Sequence, residues 1–383
     1  MNLHYKSLPD NTVLSLIAPT ASGKTDLACH LYETGRFELI SVDSALIYQD
    51  MNIGTAKPTD DELARFPHHL VNIIKPTETY NVATFVADVE RLITGIHARG
   101  KIPLLVGGTM MYYMALLDGL STVPDTDPAI RGQVMAWLSD KGIGELYVYL
   151  QTHDPKICER LKISDTQRIT RAVEVHMQTG TPMSAWQDTP KVAPCHNTRQ
   201  HWLTLSVEPE RAWLHERIAK RLGIMWEQGL VDEVIYILQK YPDLTPDMPS
   251  MRCVGYRQVL EFLAKINHKA MQVNPAMAEF SDKVRSKMTD EDRLFFDQGV
   301  NLDECSPFLV NKSTDLTINL QKQQPNLLQM ACQDMKNKAL YATRQLAKRQ
   351  STWQRSLARL NGSSHDAVIV PFSSIQQVEK QLL

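Results

Sequence analysis

The sequence predicts an α/β protein: a P-loop-type parallel sheet core, an inserted helical domain and a C-terminal helical region. Three observations predict it. Short apolar runs alternate with helix-like stretches over the first 120 residues, the pattern of a parallel sheet covered by helices. Each run ends in a polar cluster, and such sheets hold their ligands at the carboxyl ends of strands. From Ser121 to about Cys195 the runs vanish and helical periodicity takes over.

The first run, TVLSLIA from Thr12, ends in a turn bearing Pro and Gly, and the helix-like TDLACHLYETG after it stops at Gly35. ELISVDS follows and reaches Asp43. A helical stretch from Phe85 to Gly100 precedes KIPLLVGGT, which ends at Thr109. Pro124, Pro128 and Pro182 punctuate the helical part, and HWLTLSVEP from His201 reads as a strand returning to the sheet. A long charged helix starts near Glu210. The expected domains are residues 1–120, first part of the core; 121–195, a helical insertion; 196–261, core continuation; 262–338, a polar surface insertion with a disordered part; and 339–383, a basic C-terminal helix and tail.

Composition excludes more than it identifies. With 41 basic and 43 acidic residues in 383, the net charge is −2, so any RNA contact must come from local basic patches. Six cysteines stand apart with no CxxC spacing, against a disulfide scaffold or zinc cage and in favour of a reducing compartment. The opening MNLHYKSLPDNT has no signal-peptide stretch, and no run reaches the ~18 apolar residues of a membrane helix. A cytoplasmic monomer with no membrane partner is expected. His68-His69 lack metal-site spacing, and Trp186, Trp226, Tyr112 and Tyr113 read as packing residues.

The chemistry begins at APTASGKT, between a strand and a helix. Ala18, Pro19, Thr20, Ala21, Ser22, Gly23, Lys24 and Thr25 have the context of a phosphate loop: backbone N–H groups and a helix N-terminus facing phosphate oxygens, a lysine charge, and a hydroxyl for Mg²⁺. Ala18 stands where the usual pattern has glycine, at a cost of about 1 kcal/mol if that position needs φ > 0. The loop recognises a diphosphate, and ATP is only its commonest owner. Asp43, the one carboxylate at a clear strand end, has three readings here: a metal-holding residue, a general base, or a cap on the next helix. A small-molecule kinase or NTPase therefore remains the competing function.

Two basic features complete the inventory. Arg217 and Arg221 lie four apart and share a helix face. No acidic residue occurs between Met335 and His365. On a helix, Arg344, Lys348, Arg355 and Arg359 form a basic stripe suited to a phosphate backbone, with Leu346, Trp353 and Leu360 opposite and inward.

Together APTASGKT, SVDSALIYQDMNIGTAKP, PLLVGGTMMYY, RCVGYRQ and ATRQLAKRQSTW resemble the bacterial tRNA dimethylallyltransferases, which modify adenosine 37. The resemblance covers most of residues 12–260 and 340–360. It implies transfer of a dimethylallyl group from dimethylallyl diphosphate to N6 of an adenine in the tRNA anticodon stem-loop. By resemblance the phosphate loop, with Arg221 and Mg²⁺ on Thr25, holds the diphosphate. Asp43 is then the general base, and Thr109 and Lys24 complete the catalytic set. The implied tRNA contacts are Asp43, Ser44, Ala45, Leu46 and Thr109; Arg131; Gln167, Arg168, Ile169, Thr170 and Arg171; Arg252, Cys253, Val254, Gly255, Tyr256 and Arg257; and Thr343, Arg344, Gln345, Leu346, Ala347, Lys348, Arg349 and Gln350. One departure is the 84 residues between RCVGYR and ATRQLAKRQ, several-fold longer than expected for bacterial members.

Overall fold

The computed structural model of the chain describes residues 3–298, 327–358 and 367–383. Six parallel strands form one sheet: β1 (Thr12–Ile17), β2 (Phe37–Val42), β3 (His68–His69), β4 (Ile102–Gly107), β5 (His201–Val207) and β6 (Ala367–Phe372). Their order is β3-β2-β4-β1-β5-β6. β1 and β4 are buried along their whole length, because Val, Leu and Ile on both faces leave no side for water. The order seats β1 between β4 and β5, so the segments leaving β1, β4 and β2 emerge at the same edge.

The elements between the strands are helical. Gly23 precedes α1 (Lys24–Glu33), and Thr59 and Glu62 cap α2 (Asp60–Arg65) reciprocally. Asn81 caps α3 (Val82–Ala98), and α4 (Met110–Leu117) follows Thr109 directly. The chain divides into two compact units, residues 115–194 and the remainder. The smaller holds α5 (Pro128–His153), α6 (Pro155–Cys158), α7 (Thr166–Thr179) and α8 (Met183–Gln187). It packs around Val134, Leu150, Ile169 and Val173, and an antiparallel bridge from Leu120 to Val192 ties its two ends. Buried Asp154 pins α6 to α8, accepting from Ile157 N at 3.2 Å, Ser184 Oγ at 2.5 Å and Ser184 N at 2.9 Å.

The larger unit continues with α9 (Arg211–Glu227), α10 (Leu230–Lys240), α11 (Tyr256–Lys265), α12 (Pro275–Arg285), α13 (Asp290–Asp297), α14 (Leu327–Ala358) and α15 (Ile375–Leu382). One core lies against the sheet, where Leu16, Leu27, Leu104 and Leu205 meet Val378 and Leu382 of α15. A second lies among the helices, around Trp226, Leu230, Tyr256, Leu260 and Met335. No helix among the described residues is long and apolar enough to cross a membrane.

Several expectations are corrected here. Residues 262–298 are not a surface excursion: Met277 of α12 and Phe296 of α13 are core residues. So are Leu328, Cys332 and Met335, at the start of α14. Polar composition concealed a narrow apolar face that needs few residues per turn. The NKSTDLTINLQKQQPN stretch lies outside the described residues, as do Arg359 and Leu360. The C-terminal tail carries a strand and a helix, not a tail alone. Pro371 obscured β6, but proline is tolerated on a sheet edge, where β6 sits. Ala18 does not have positive φ, so the expected strain there is absent; within the loop Ala21, at φ 62°, and Gly23, at φ 90°, take that conformation.

Candidate functional site

Residues just beyond the carboxyl ends of β1, β2 and β4 converge on one chamber of about 520 Å³. β1 delivers Thr20, Ala21 and Lys24; β2 delivers Asp43, Ser44 and Ala45; β4 delivers Gly108 and Thr109. Pro249, Arg252, Cys253, Val254 and Gly255 line it from the segment before α11, and Thr343, Leu346, Arg349, Gln350 and Trp353 from α14. Ile218, Leu222 and Met225 of α9 add an apolar wall beside Arg221. Motifs more than 300 residues apart in the chain thus share one cavity.

On the other side of the phosphate loop lies a second cavity of about 790 Å³. Ser22, Gly23 and Thr25 line it, with Lys57, Arg65, Arg217 and Lys220. Ala21, Lys24 and Arg221 border both cavities. Burial pushes the Lys24 ammonium down to about 8; Asp43 opposes the shift and Arg221 adds to it. Burial lowers the Arg221 guanidinium as well. Two cations held at an electrostatic cost beside backbone amides form a site prepared for a polyanion. Arg221 donates to Thr20 Oγ1 and the Ala56 carbonyl, both at 3.4 Å. Arg217 donates through Nε to the Ala21 carbonyl at 2.8 Å, bracing the loop.

Asp43 partly fulfils its capping reading, but over a turn, with no regular helix after it. Its Oδ1 accepts from the amides of Ala45 at 2.8 Å and Leu46 at 3.4 Å. Oδ2 has no hydrogen-bond partner among the described residues. The Ser44 amide donates to Thr109 Oγ1 at 3.0 Å, which ties the β2 and β4 loops together. No group of three or more His, Cys, Asp or Glu that could hold a metal occurs among the described residues.

The expected RNA-contacting residues divide. Ser44, Ala45, Thr109, Arg252, Cys253, Val254, Gly255, Thr343, Leu346 and Arg349 line the Asp43 chamber, whereas Tyr256 is 0% exposed and Ala347 is buried. Gln350, 8% exposed, is internal: it accepts from Thr20 N at 3.1 Å and donates to the Gly108 carbonyl at 2.8 Å. Arg257 belongs to a separate groove, stacked over Phe280 at 4.5 Å and bonded to the Pro246 carbonyl. In the helical unit Arg131, Gln167 and Arg168 are exposed, but Ile169 and Thr170 are buried. Arg171 is engaged there by the Pro124 carbonyl at 2.6 Å and by Thr126.

The stripe assigned to α14 is rotated. Leu346 and Trp353 face the chamber, and Trp353 is 40% exposed; the inward face is Ala339, Ala347, Gln350, Gln354 and Leu357. Gln354 donates to the carbonyls of Ile17 and Val207, each at 3.2 Å. Its role was missed, although two glutamines at i and i+4 in an otherwise basic helix are a readable sign of a polar inner seam. Lys348 is exposed, while Arg355 is held by Glu208.

The fold and site define a P-loop α/β protein that presents a phosphate-binding loop to a chamber holding a carboxylate. A model of the IPP transferase family matches residues 46–293. The tRNA dimethylallyltransferase of Psychrobacter arcticus is 54% identical over 365 residues, covering 95% of this chain and 86% of that protein. That of Acinetobacter baumannii is 43% identical over 351 residues, covering 91% and 92%. The full-length tRNA isopentenylpyrophosphate transferase of Bacillus halodurans aligns with a TM-score of 0.51 at 25% identity, covering 97% of this chain and 94% of that one. A eukaryotic dimethylallyltransferase acting on tRNA shares the fold, with a TM-score of 0.64 at 21% identity and coverage of 97% and 76%. The chain belongs to the IPP transferase family. The resemblance read from its motifs is thereby borne out, and the kinase reading is not favoured.

Proposed function

We propose that the chain transfers the dimethylallyl group of dimethylallyl diphosphate to N6 of adenosine 37, in the anticodon stem-loop of tRNA, and releases diphosphate. The observation that carries this reading is the position of Lys24, which borders both the basic cavity and the chamber containing Asp43 and Thr109.

N6 of adenine is a weak nucleophile because its lone pair delocalises into the ring. It therefore needs a base and close placement against the allylic carbon. Asp43 is positioned to act as that base: Oδ1 is fixed by two amides, and Oδ2 is available for the N6 proton. As the N6–C bond forms, the C–O bond breaks and its electron pair passes to the diphosphate. Lys24, Arg221 and the loop amides oppose the growing charge. Thr25 is exposed at the start of α1, and its hydroxyl would hold a magnesium ion there. Bound there, Mg²⁺ would neutralise charge on the leaving group. Ile218, Leu222 and Met225 offer an apolar surface to the isoprenoid.

The target base must leave the anticodon stack to reach Asp43. Arg252 and Arg349 on the chamber wall, and Lys348, Gln345 and Arg344 on α14, supply polar and basic contacts for the strand. Arg131, Gln167 and Arg168 offer contacts on the helical unit. Cys253 also lines the chamber, and burial, reinforced by Asp43, pushes its thiol up to about 12. It stays protonated and does not compete for the allylic carbon. Lone cysteines and a tRNA substrate are in keeping with a cytoplasmic location.

The test combines protein, unmodified tRNA, Mg²⁺ and dimethylallyl diphosphate without ATP, followed by digestion and nucleoside mass analysis. One adenosine heavier by a dimethylallyl group is expected. Asp43→Asn should remove that product while dimethylallyl diphosphate still binds. ATP-dependent phosphoryl transfer to a small molecule, with no prenylated nucleoside, would overturn the proposal.

A further inference from the structure

We propose that Glu233 is a positioning residue for transfer, a carboxylate latch holding two loop walls of the Asp43 chamber together; this rests on the chamber being the transfer site. Glu233 lies on α10 and does not itself line the chamber. Its Oε2 accepts from the amides of Asn52 at 2.9 Å and Ile53 at 2.7 Å. Its Oε1 accepts from the amide of Gly54 at 3.1 Å and the hydroxyl of Tyr256 at 2.6 Å. Four donors from two chain segments thus meet on one carboxylate.

Both segments form chamber walls. Gly54 and Thr55 line it from the loop after β2, and Cys253, Val254 and Gly255, immediately before Tyr256, from another side. The segments touch so closely that a Cβ on Gly54 would lie 2.5 Å from the Tyr256 ring and 2.7 Å from Leu230 Cδ1. Tyr256 is wholly buried, so its hydroxyl proton needs an internal acceptor. The end of α10 grips the same loop a second time, where Lys240 at 2.9 Å and the hydroxyl of Tyr241, the residue after the helix, bind Asp50. Lys57 secures the loop's far end, donating to the Tyr48 carbonyl and Asn72 Oδ1, each at 2.5 Å. Neither of those anchors reaches the Tyr256 side; Glu233 joins both walls.

The chemistry requires a carboxylate. Only an ionised acid offers acceptor sites on both oxygens and no hydrogen. A glutamine would turn an NH₂ group toward two of the four donors, leaving an amide or hydroxyl facing another donor. The walls would then part while the phosphate loop stayed in place.

The experiment compares wild type, Glu233→Gln and Gly54→Ala by steady-state transfer at saturating tRNA, dimethylallyl diphosphate affinity, and amide hydrogen exchange. Both variants are expected to lose about 10- to 100-fold in kcat, with dimethylallyl diphosphate affinity within about twofold of wild type. In Glu233→Gln the amides of Asn52, Ile53 and Gly54 should exchange faster. Gly54→Ala keeps the carboxylate but forces the walls apart, so its matching loss separates geometry from charge. Unchanged kcat in Glu233→Gln, or amides still protected in it, overturns the latch. A loss of dimethylallyl diphosphate binding as large as the loss of kcat overturns it too, by marking a general structural defect. A wild-type protein that folds and transfers nothing defeats the underlying functional reading, and that control distinguishes the two failures.

Discussion

At the scale of single residues, the site is built from charges and backbone held where they are unfavourable alone. Desolvation between the two cavities pushes the half-buried Lys24 ammonium down from the ordinary 10.5 to about 8. Without an anion, its charged form costs native stability below about pH 8, and that cost fades as pH rises toward 10.5. A bound diphosphate reverses the balance by favouring the charged form. Calorimetric titration across about pH 6.5–9.5 should therefore show full dimethylallyl diphosphate affinity in the acid range. Affinity should decline as pH rises through about 8, and Lys24→Met should abolish the dependence. Gly107 is a backbone requirement of another kind: a Cβ there would lie 2.0 Å from the Val42 carbonyl oxygen, between adjacent strands. Gly107→Ala should destabilise the fold by about 1–3 kcal/mol, read from urea unfolding. The motif strings made these residues visible. They left capping as one of three readings of Asp43; that its Oδ1 is committed to a turn depends on where the chain goes after β2.

At the scale of elements, α14 does the most unexpected work. Its sequence reads as a basic helix with an apolar stripe, and the helix itself was legible. Its rotation was not, because the glutamines at 350 and 354 compete for the inward face by pairing with carbonyls of Gly108, Ile17 and Val207. Leu346 and Trp353 consequently turn toward the chamber. The basic residues separate as well: Lys348 is exposed, whereas Arg355 is held by Glu208. Lys348→Ala should weaken tRNA binding uniformly and reduce the slope of log affinity against log salt by about 0.7–0.9, measured by filter binding. Arg355→Ala should change neither quantity by more than about twofold.

At the scale of the whole molecule, the sheet depends on its last strand. β6 covers β5, and Val378 and Leu382 of α15 close the core that also contains Leu14 and Leu16 of β1, the strand leading into the phosphate loop. Deletion of residues 367–383 should lower the melting temperature and the yield of folded protein, although it removes no chamber residue. Retained stability on deletion would place the folding unit upstream of β6.

By itself the sequence determined four of the five strands longer than two residues, the helical character of the inserted unit and the phosphate loop, because each is a local pattern of apolar period, turn residues or charge; the other chamber motifs were legible only through the family resemblance. Tertiary structure alone decided that β6 joins the sheet edge, that α12 and α13 bury Met277 and Phe296, and that Tyr256 and Gln350 point inward. These outcomes depend on which distant donors and acceptors satisfy one another, and the pairing of Glu233 on α10 with amides 179–181 positions earlier in the chain is the clearest case. Local periodicity carries no information about such partners, since burial of a polar group is set by what it meets after the chain has folded.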